Sequence, residues 1–124
     1  MAGLVVMGIE VKKMFALFMG LKSISPEGLH QLIGGAHPTI ADVNSPQSWS
    51  THHVPGAIHL DPVAFGEGDL PADKDATLVF YCSNFLCRKA PNAASKAKKM
   101  GYRNVHVMSA GISGWLSANL PTES

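Results

Sequence analysis

The chain has only two cysteines among 124 residues, too few for a secreted scaffold held together by disulfides. They stand five positions apart, at Cys82 and Cys87, so they cannot join distant parts of the chain. A structural zinc site needs about four ligands, and none of the six histidines is spaced as their partner. We therefore expect reactive thiols, and we expect neither a metal nor an organic cofactor.

An excess of charge of either sign is also lacking. Ten Lys and Arg residues oppose nine Asp and Glu residues, for a net charge of +1, so neither nucleic acid nor an anionic membrane is an expected partner. A basic cluster near the C-terminus is interpreted as a solvated helix face, formed by Lys96, Lys98, Lys99 and Arg103.

No apolar run reaches the roughly 18 to 20 residues that a membrane span needs. Residues 1–20 are apolar, but Glu10, Lys12 and Lys13 interrupt them, and a signal peptide's basic start and cleavage site are missing. We expect an N-terminal extension with a short helix that packs on the domain; contact with a membrane surface or a partner are the alternatives. The protein is expected to be cytoplasmic, and either a monomer or a homodimer.

Residues 21–124 suffice for one domain with one core. Apolar strand-like segments alternate with helix-like segments that follow Ser-Pro or end at glycine, which indicates an α/β fold with a mostly parallel sheet. Strands are predicted at 21–24, 39–43, within 54–60, at 76–81 and at 105–108. Helices are predicted from Pro26 to Gly34, at 46–51, at 89–100 and at 111–116.

The strongest functional signal is Cys82, which follows the apolar segment 76–81 and opens a short loop before a helix. In parallel α/β sheets, ligands bind beyond the carboxyl ends of the strands. The free amides and dipole of a helix N-terminus favour an anion there and favour thiolate over thiol. Cys82 is therefore predicted to be a nucleophile.

Several segments, in order, resemble the rhodanese-like sulfurtransferase family over about residues 21–120. They are the Asp-Val strand at 40–43, an HIPGA-like segment at 53–60, the strand end at 80–82, and the helix and closing segment at 93–105 and 111–115. The resemblance implies a three-layer fold with a central five-stranded parallel sheet and helices on both faces.

The resemblance also implies a catalytic Cys82 that alternates between thiolate and persulfide. A small-molecule donor such as thiosulfate gives its outer sulfur to Cys82, and a thiol, a protein acceptor or cyanide removes it. Backbone amides of the loop would hold the donor. The loop consists of Ser83, Asn84, Phe85, Leu86, Cys87 and Arg88.

This loop departs from the common family pattern. The paired alanines, Ala93 and Ala94, lie two positions farther from Cys82 than usual, and the loop has no glycine. Cys87 stands where the common arginine would be, and is either a residue that packs inward or a resolving thiol that attacks oxidised or persulfidated Cys82. In addition, Asn44 stands where many members have arginine, and Ala110 replaces the first glycine of the closing pair.

Two other functions stay open. Cys82 and Arg88 have the Cys-x5-Arg spacing of phosphatases and arsenate reductases, although Tyr81 replaces the usual histidine and the loop lacks an acid. Arg88 would then hold an oxyanion. Alternatively, Cys82 and Cys87 form the disulfide of a redox or sulfur-carrier module without enzymatic activity.

The remaining polar and aromatic candidates are expected to be mainly structural. Asp42, His53 and His59 are expected to hold backbone turns by hydrogen bonds. Trp115 and Phe85 are candidates for a pocket wall, with core packing an equal explanation for Trp115.

Overall fold

The computed structural model describes residues 21–124, so the predicted N-terminal helix lies outside the described residues. The strands are β1 (Lys22–Ser23), β2 (Thr39–Asp42), β3 (Ile58–His59), β4 (Thr77–Tyr81) and β5 (Asn104–Val107). The α-helices are α1 (Pro26–Gly35), α2 (Pro46–Thr51), α3 (Lys89–Lys99) and α4 (Gly111–Ser117), and a 3-10 turn spans Glu67–Asp69.

The five strands form one parallel sheet in the order β1-β5-β4-β2-β3, with β4 in the centre. Alternate β4 side chains enter two separate cores. Phe80 packs with α3 residues such as Ala93 on one face, whereas Tyr81 packs with Leu29 of α1 and Trp115 of α4 on the other. The predicted α/β class, the parallel sheet and the helices on both faces are confirmed.

Helices α1 and α2 begin at the predicted Ser-Pro pairs. The Ser25 hydroxyl accepts the Gly28 N–H at 2.9 Å, and the Ser45 hydroxyl accepts the Ser48 N–H at 3.1 Å. A proline follows each cap, and its fixed φ suits the first helical position. Local side-chain chemistry therefore sets both starts.

The connection from β3 to β4 is more than a surface loop, because it contributes side chains to the core. Phe65 and Leu70 are buried there. The Lys96 ammonium donates to the Val63 and Phe65 carbonyls, each at 2.6 Å, and lies 4.4 Å from the centre of the Phe65 ring. The expectation of a solvated face is thus wrong for Lys96, because its ammonium satisfies carbonyls of a loop that packs against α3.

Across residues 21–124, none of the helices combines the length and the apolar content needed to cross a membrane.

Candidate functional site

Cys82 lies directly after the central strand β4, and its side chain is 2% exposed. The start of α4, which packs on the face of the sheet opposite α3, holds the Cys82 backbone by hydrogen bonds. The Ile112 N–H donates to the Cys82 carbonyl and the Ser113 N–H donates to the Ser83 carbonyl, both at 2.9 Å. The first amides of α4 therefore fix the place where the thiol loop leaves the sheet.

Gly111 permits this contact between α4 and the loop. Its φ is +66°, and a Cβ atom there would lie 2.6 Å from the Cys82 carbonyl oxygen and 2.7 Å from the Asn84 nitrogen. Both the backbone conformation and the close approach demand glycine. The sequence marked Gly111 only as part of a family pattern, and this anchoring role was missed.

The loop folds back on itself through Asn84. The Cys87 N–H donates to the Asn84 carbonyl at 3.1 Å, and the Leu86 N–H donates to the Asn84 side-chain oxygen at 2.9 Å. An Asn side chain that accepts the amide two residues on forms an Asx turn. The sequence assigned Asn84 only a backbone role, whereas its side chain shapes the loop.

The turn brings Cys87 next to Cys82. The Cys82 thiol donates to the Cys87 carbonyl at 3.5 Å, and the two cysteine side chains shift each other's pKa. Cys87 is half-buried and packs against the core on the α3 face. The two predicted thiols thus form a single site.

Backbone amides surround the two sulfur atoms. The N–H groups of Ser83 and Ala90 interact with the Cys82 sulfur, and those of Ser83 and Lys89 interact with the Cys87 sulfur. Lys89 and Ala90 are the first residues of α3, where no side chain caps the helix. The start of α3 therefore lies beside both thiols, and its free amides act to lower the pKa of each.

The pKa values of the two thiols are shifted in opposite directions. Burial raises the pKa of Cys82 to about 12, and neighbouring Cys87 adds to the rise, while the Ala90 and Ser83 amides oppose it. Burial also acts to raise the pKa of Cys87. There, however, the hydrogen bond from Cys82 and the amides of Lys89 and Ser83 prevail and lower it.

Burial therefore opposes the predicted preference for thiolate at Cys82. Removing the thiolate from water costs more than the helix amides return at Cys82. The less buried Cys87 is therefore the thiol of the pair that ionises at the lower pH.

The rest of the predicted loop faces outward. Phe85 and Leu86 are 56% and 79% exposed, so they form an apolar rim rather than a buried wall. Arg88 is exposed and occupies the N-cap position of α3. Its role in holding an anion stays a prediction.

Two polar side chains near the thiol loop stabilise the carboxyl edge of the sheet. An Asp42 carboxylate oxygen accepts the Asn44 N–H at 2.8 Å, and the Tyr81 hydroxyl accepts the Val54 N–H at 3.0 Å. Burial, with the Asp42 charge beside it, raises the pKa of Tyr81. The expected structural role of Asp42 is confirmed.

The two histidines around the Pro-Gly-Ala turn also have structural partners. The His53 ring nitrogen Nδ1 lies 2.7 Å from the Trp49 carbonyl, and the ring stacks on Trp49 with centroids 4.5 Å apart. The His59 ring nitrogen Nε2 lies 2.8 Å from the Asn44 carbonyl. Trp115 is fully buried and donates its indole N–H to Pro121, so it belongs to the core.

The sequence model described as "Rhodanese-like domain" matches residues 25–118. The chain belongs to the rhodanese-like domain family. Among curated relatives, the thiosulfate sulfurtransferase GlpE of Actinobacillus succinogenes is 27% identical over 106 residues, which is 86% of this chain and 94% of that protein. Such relatives support the prediction that this rhodanese-like chain is a rhodanese-type sulfurtransferase.

Solved structures share the fold of this rhodanese-like chain. The BH2092 protein of Bacillus halodurans superposes with a TM-score of 0.76 at 22% identity, covering 93% of this chain and 87% of that one. A Rhodopseudomonas palustris protein of unknown function, described as a possible tyrosine phosphatase, has a TM-score of 0.68 at 22% identity and covers 84% and 86%. At this identity both likenesses bear on the fold alone.

Proposed function

We propose that the protein carries sulfane sulfur as a persulfide on Cys82, taking it from thiosulfate or a similar donor and passing it to a thiol or to cyanide. The observation that carries this proposal is the place of the Cys82 sulfur. It lies at the end of the central strand, with the Ser83 and Ala90 amides directed to it. The relation to thiosulfate sulfurtransferases supports the choice of donor.

Loading begins with the anionic donor in the amide cradle of the loop and the α3 start. The Cys82 sulfur attacks the outer sulfur of thiosulfate, the S–S bond of the donor breaks, and sulfite leaves with the bonding electrons. The Cys82 proton is released to solvent, and the outer sulfur stays on Cys82 as the persulfide.

Unloading delivers the outer sulfur to an acceptor that reaches the loop from solvent. Phe85 and Leu86 present apolar side chains on the rim of the site. Such a rim suits a protein acceptor that contributes apolar surface of its own, while cyanide needs no such contact. The acceptor, the cytoplasmic location and the oligomeric state stay predictions.

The test uses Cys87→Ser, which leaves Cys82 as the only thiol. After incubation of the reduced variant with thiosulfate and desalting, we expect intact mass to show one added sulfur atom that cyanide removes as thiocyanate. The matched control is the Cys82→Ser, Cys87→Ser double variant, which should gain nothing. Sulfur that fails to bind the single variant, with its fold intact by circular dichroism, would refute the proposal.

Phosphate-ester hydrolysis is a second candidate because of the Cys82-x5-Arg88 spacing and the fold shared with a possible tyrosine phosphatase. Two observations weigh against it. Loop residues 83–88 include no carboxylate to act as general acid, and Tyr81 precedes the cysteine where phosphatases with this spacing have histidine. Turnover of an aryl phosphate that disappears in Cys82→Ser would favour this candidate over sulfur transfer.

A further inference from the structure

The loop is built to bring its two sulfur atoms together. The Asx turn at Asn84 and the hydrogen bond from the Cys87 amide reverse the chain between the cysteines. The Cys82 thiol donates to the Cys87 carbonyl at 3.5 Å, and the two cysteine side chains shift each other's pKa. A disulfide requires close Cα atoms, and the reversal of the chain between two cysteines five positions apart directs them toward each other.

The two thiols also differ in a way that suits successive steps. Cys82 is almost fully buried at the strand end, whereas Cys87 is half-buried on the loop beside solvent. The amides of Ser83 and Lys89 hold the Cys87 sulfur, so a thiolate there is stabilised at the moment when it must attack. Attack by a thiolate on a neighbouring sulfur–sulfur bond is the elementary step of thiol–disulfide exchange.

We propose that Cys87 resolves the Cys82 persulfide by attacking its inner sulfur, which forms a Cys82–Cys87 disulfide and expels hydrosulfide. This inference rests on the proposed function, since it needs the persulfide. The Cys87 thiolate supplies the electron pair of the new bond. The bond between the Cys82 sulfur and the transferred sulfur breaks, and the transferred atom leaves as HS⁻ with its proton and the electron pair.

The overall change balances with thiosulfate as the only oxidant. Two protein thiols and one thiosulfate give one disulfide, one sulfite, one hydrosulfide and one proton. The two cysteines together lose two electrons, and the sulfane sulfur gains them. One chain therefore releases one sulfide and then stops, until an external dithiol reduces the disulfide.

The experiment treats fully reduced wild type, Cys87→Ser and Cys82→Ser with excess thiosulfate under anaerobic conditions. Free sulfide is measured, the remaining thiols are alkylated, and intact mass is recorded. For wild type we expect one sulfide per chain, a mass lower by two hydrogen atoms, and no alkylation. For Cys87→Ser we expect one retained sulfur and no sulfide, and Cys82→Ser should give neither.

A variant outside the thiol loop that keeps both thiols is the matched control. Val63→Ser changes a residue that is 81% exposed, and it should release sulfide like wild type. A wild type without thiosulfate, kept equally long without air, should stay reduced.

Two results would overturn the inference while leaving the proposed function intact. One is a wild type that keeps a stable extra sulfur on Cys82 without releasing sulfide. The other is a wild type whose extra sulfur is found on the Cys87 peptide, which would mean attack on the outer sulfur. If Cys87→Ser gains no sulfur either, the proposed persulfide itself fails, and this inference fails with it.

Discussion

Helices α1 and α3 differ in what their first backbone amides bond to. At α1, the Ser25 hydroxyl accepts an amide of the first turn, and Pro26 fixes the backbone for the helix. At α3, no side chain caps the start, and the amides of Lys89 and Ala90 are directed to the two thiols. Where the chain satisfies its own amides it gains stability, and where it leaves them for sulfur it makes a site.

The same comparison extends to how the two starts are held. Helix α1 is stabilised locally, by residues adjacent in sequence. The start of α3 depends on a distant element, because α4 holds the Cys82 and Ser83 carbonyls and so positions the loop that leads into α3. Changes at α4 should therefore affect reactivity, whereas changes at the α1 cap should affect only stability.

The largest effect is expected from Gly111→Ala. The new methyl group would collide with the backbone of Cys82 and Asn84, and the positive φ would add about 1–2 kcal/mol of backbone strain. Displacement of the thiol loop should slow persulfide formation by roughly 10- to 100-fold. Stopped-time mass spectrometry in the Cys87→Ser background measures that rate.

Gly56→Ala is the matched control for Gly111→Ala. Gly56 also has a positive φ, of +81°, but an added methyl group would meet nothing within 4 Å. It should lower the free energy of unfolding by about 1 kcal/mol and leave the loading rate unchanged. Equal loading rates for the two alanine variants would contradict the anchoring role of α4.

A second large effect is expected in the order in which the two thiols are alkylated. Because burial raises the pKa of Cys82 to about 12 while the pKa of Cys87 is lowered, Cys87 has the larger thiolate fraction at any given pH. Iodoacetamide should modify Cys87 about tenfold or more faster than Cys82. Peptide mapping after brief labelling measures both rates.

Raising the pH should narrow the difference between the labelling rates of Cys87 and Cys82. A raised pKa means that the thiolate fraction of Cys82 increases with pH all the way toward 12, whereas Cys87 is ionised first. The urea-unfolded chain is the control, because both thiols should then react at similar rates. Faster labelling of Cys82 than of Cys87 at neutral pH would contradict the inference that Cys87 ionises at the lower pH.

The helix cap at Ser25 and the loop turn at Asn84 should affect different properties, namely stability and the rate of persulfide loading. Ser25→Ala should cost about 1 kcal/mol of unfolding free energy without changing the loading rate, since its hydroxyl serves only the α1 start. Asn84→Ala removes one loop hydrogen bond, worth about 1 kcal/mol, and should slow loading about fivefold. Denaturant titration and timed loading of both variants measure these effects.

Leu86→Ala is the control for the loop, because its exposed side chain supports neither turn. If Ser25→Ala slowed loading as much as Asn84→Ala, the two helix starts would not be independent, and the comparison between them would fail.

Sequence reasoning was most successful where the structural cause is local. The Ser-Pro caps, the apolar central strand and the place of Cys82 at its end are all consequences of residues within a few positions of one another. These features also determine the fold class, because strand–helix alternation leads to a parallel sheet. The site's location could therefore be predicted before its geometry.

The errors concern contacts between residues far apart in the chain. Lys96 was expected in solvent, but its partners are carbonyls some thirty positions away. The Gly111 contact with the thiol loop is likewise invisible to local patterns. The expected preference for thiolate at Cys82 considered the helix amides alone, whereas the opposing effect of burial depends on the packed structure.

The smallest predicted effect lies on the α1 side and responds to acid rather than to alkali. His106 on β5 is half-buried, and burial, together with the charge of Lys22, lowers its pKa below the ordinary 6.5. The unfolded chain then binds a proton at a higher pH than the folded chain. The contribution of neutral His106 to the free energy of unfolding is thus fully present above about pH 6.5, and it is lost as the pH falls through the folded pKa.

The variant His106→Gln should reduce the loss of unfolding free energy between pH 7 and pH 5, as measured by denaturant titrations. His37→Gln is the control for loss of an exposed imidazole. If His106→Gln lost as much unfolding free energy between pH 7 and pH 5 as the wild type, burial at this position would not favour the neutral ring over the protonated ring. The α1 face would then have no response to acid to set against the thiol loop, where the labelling of Cys82 is expected to respond to alkali.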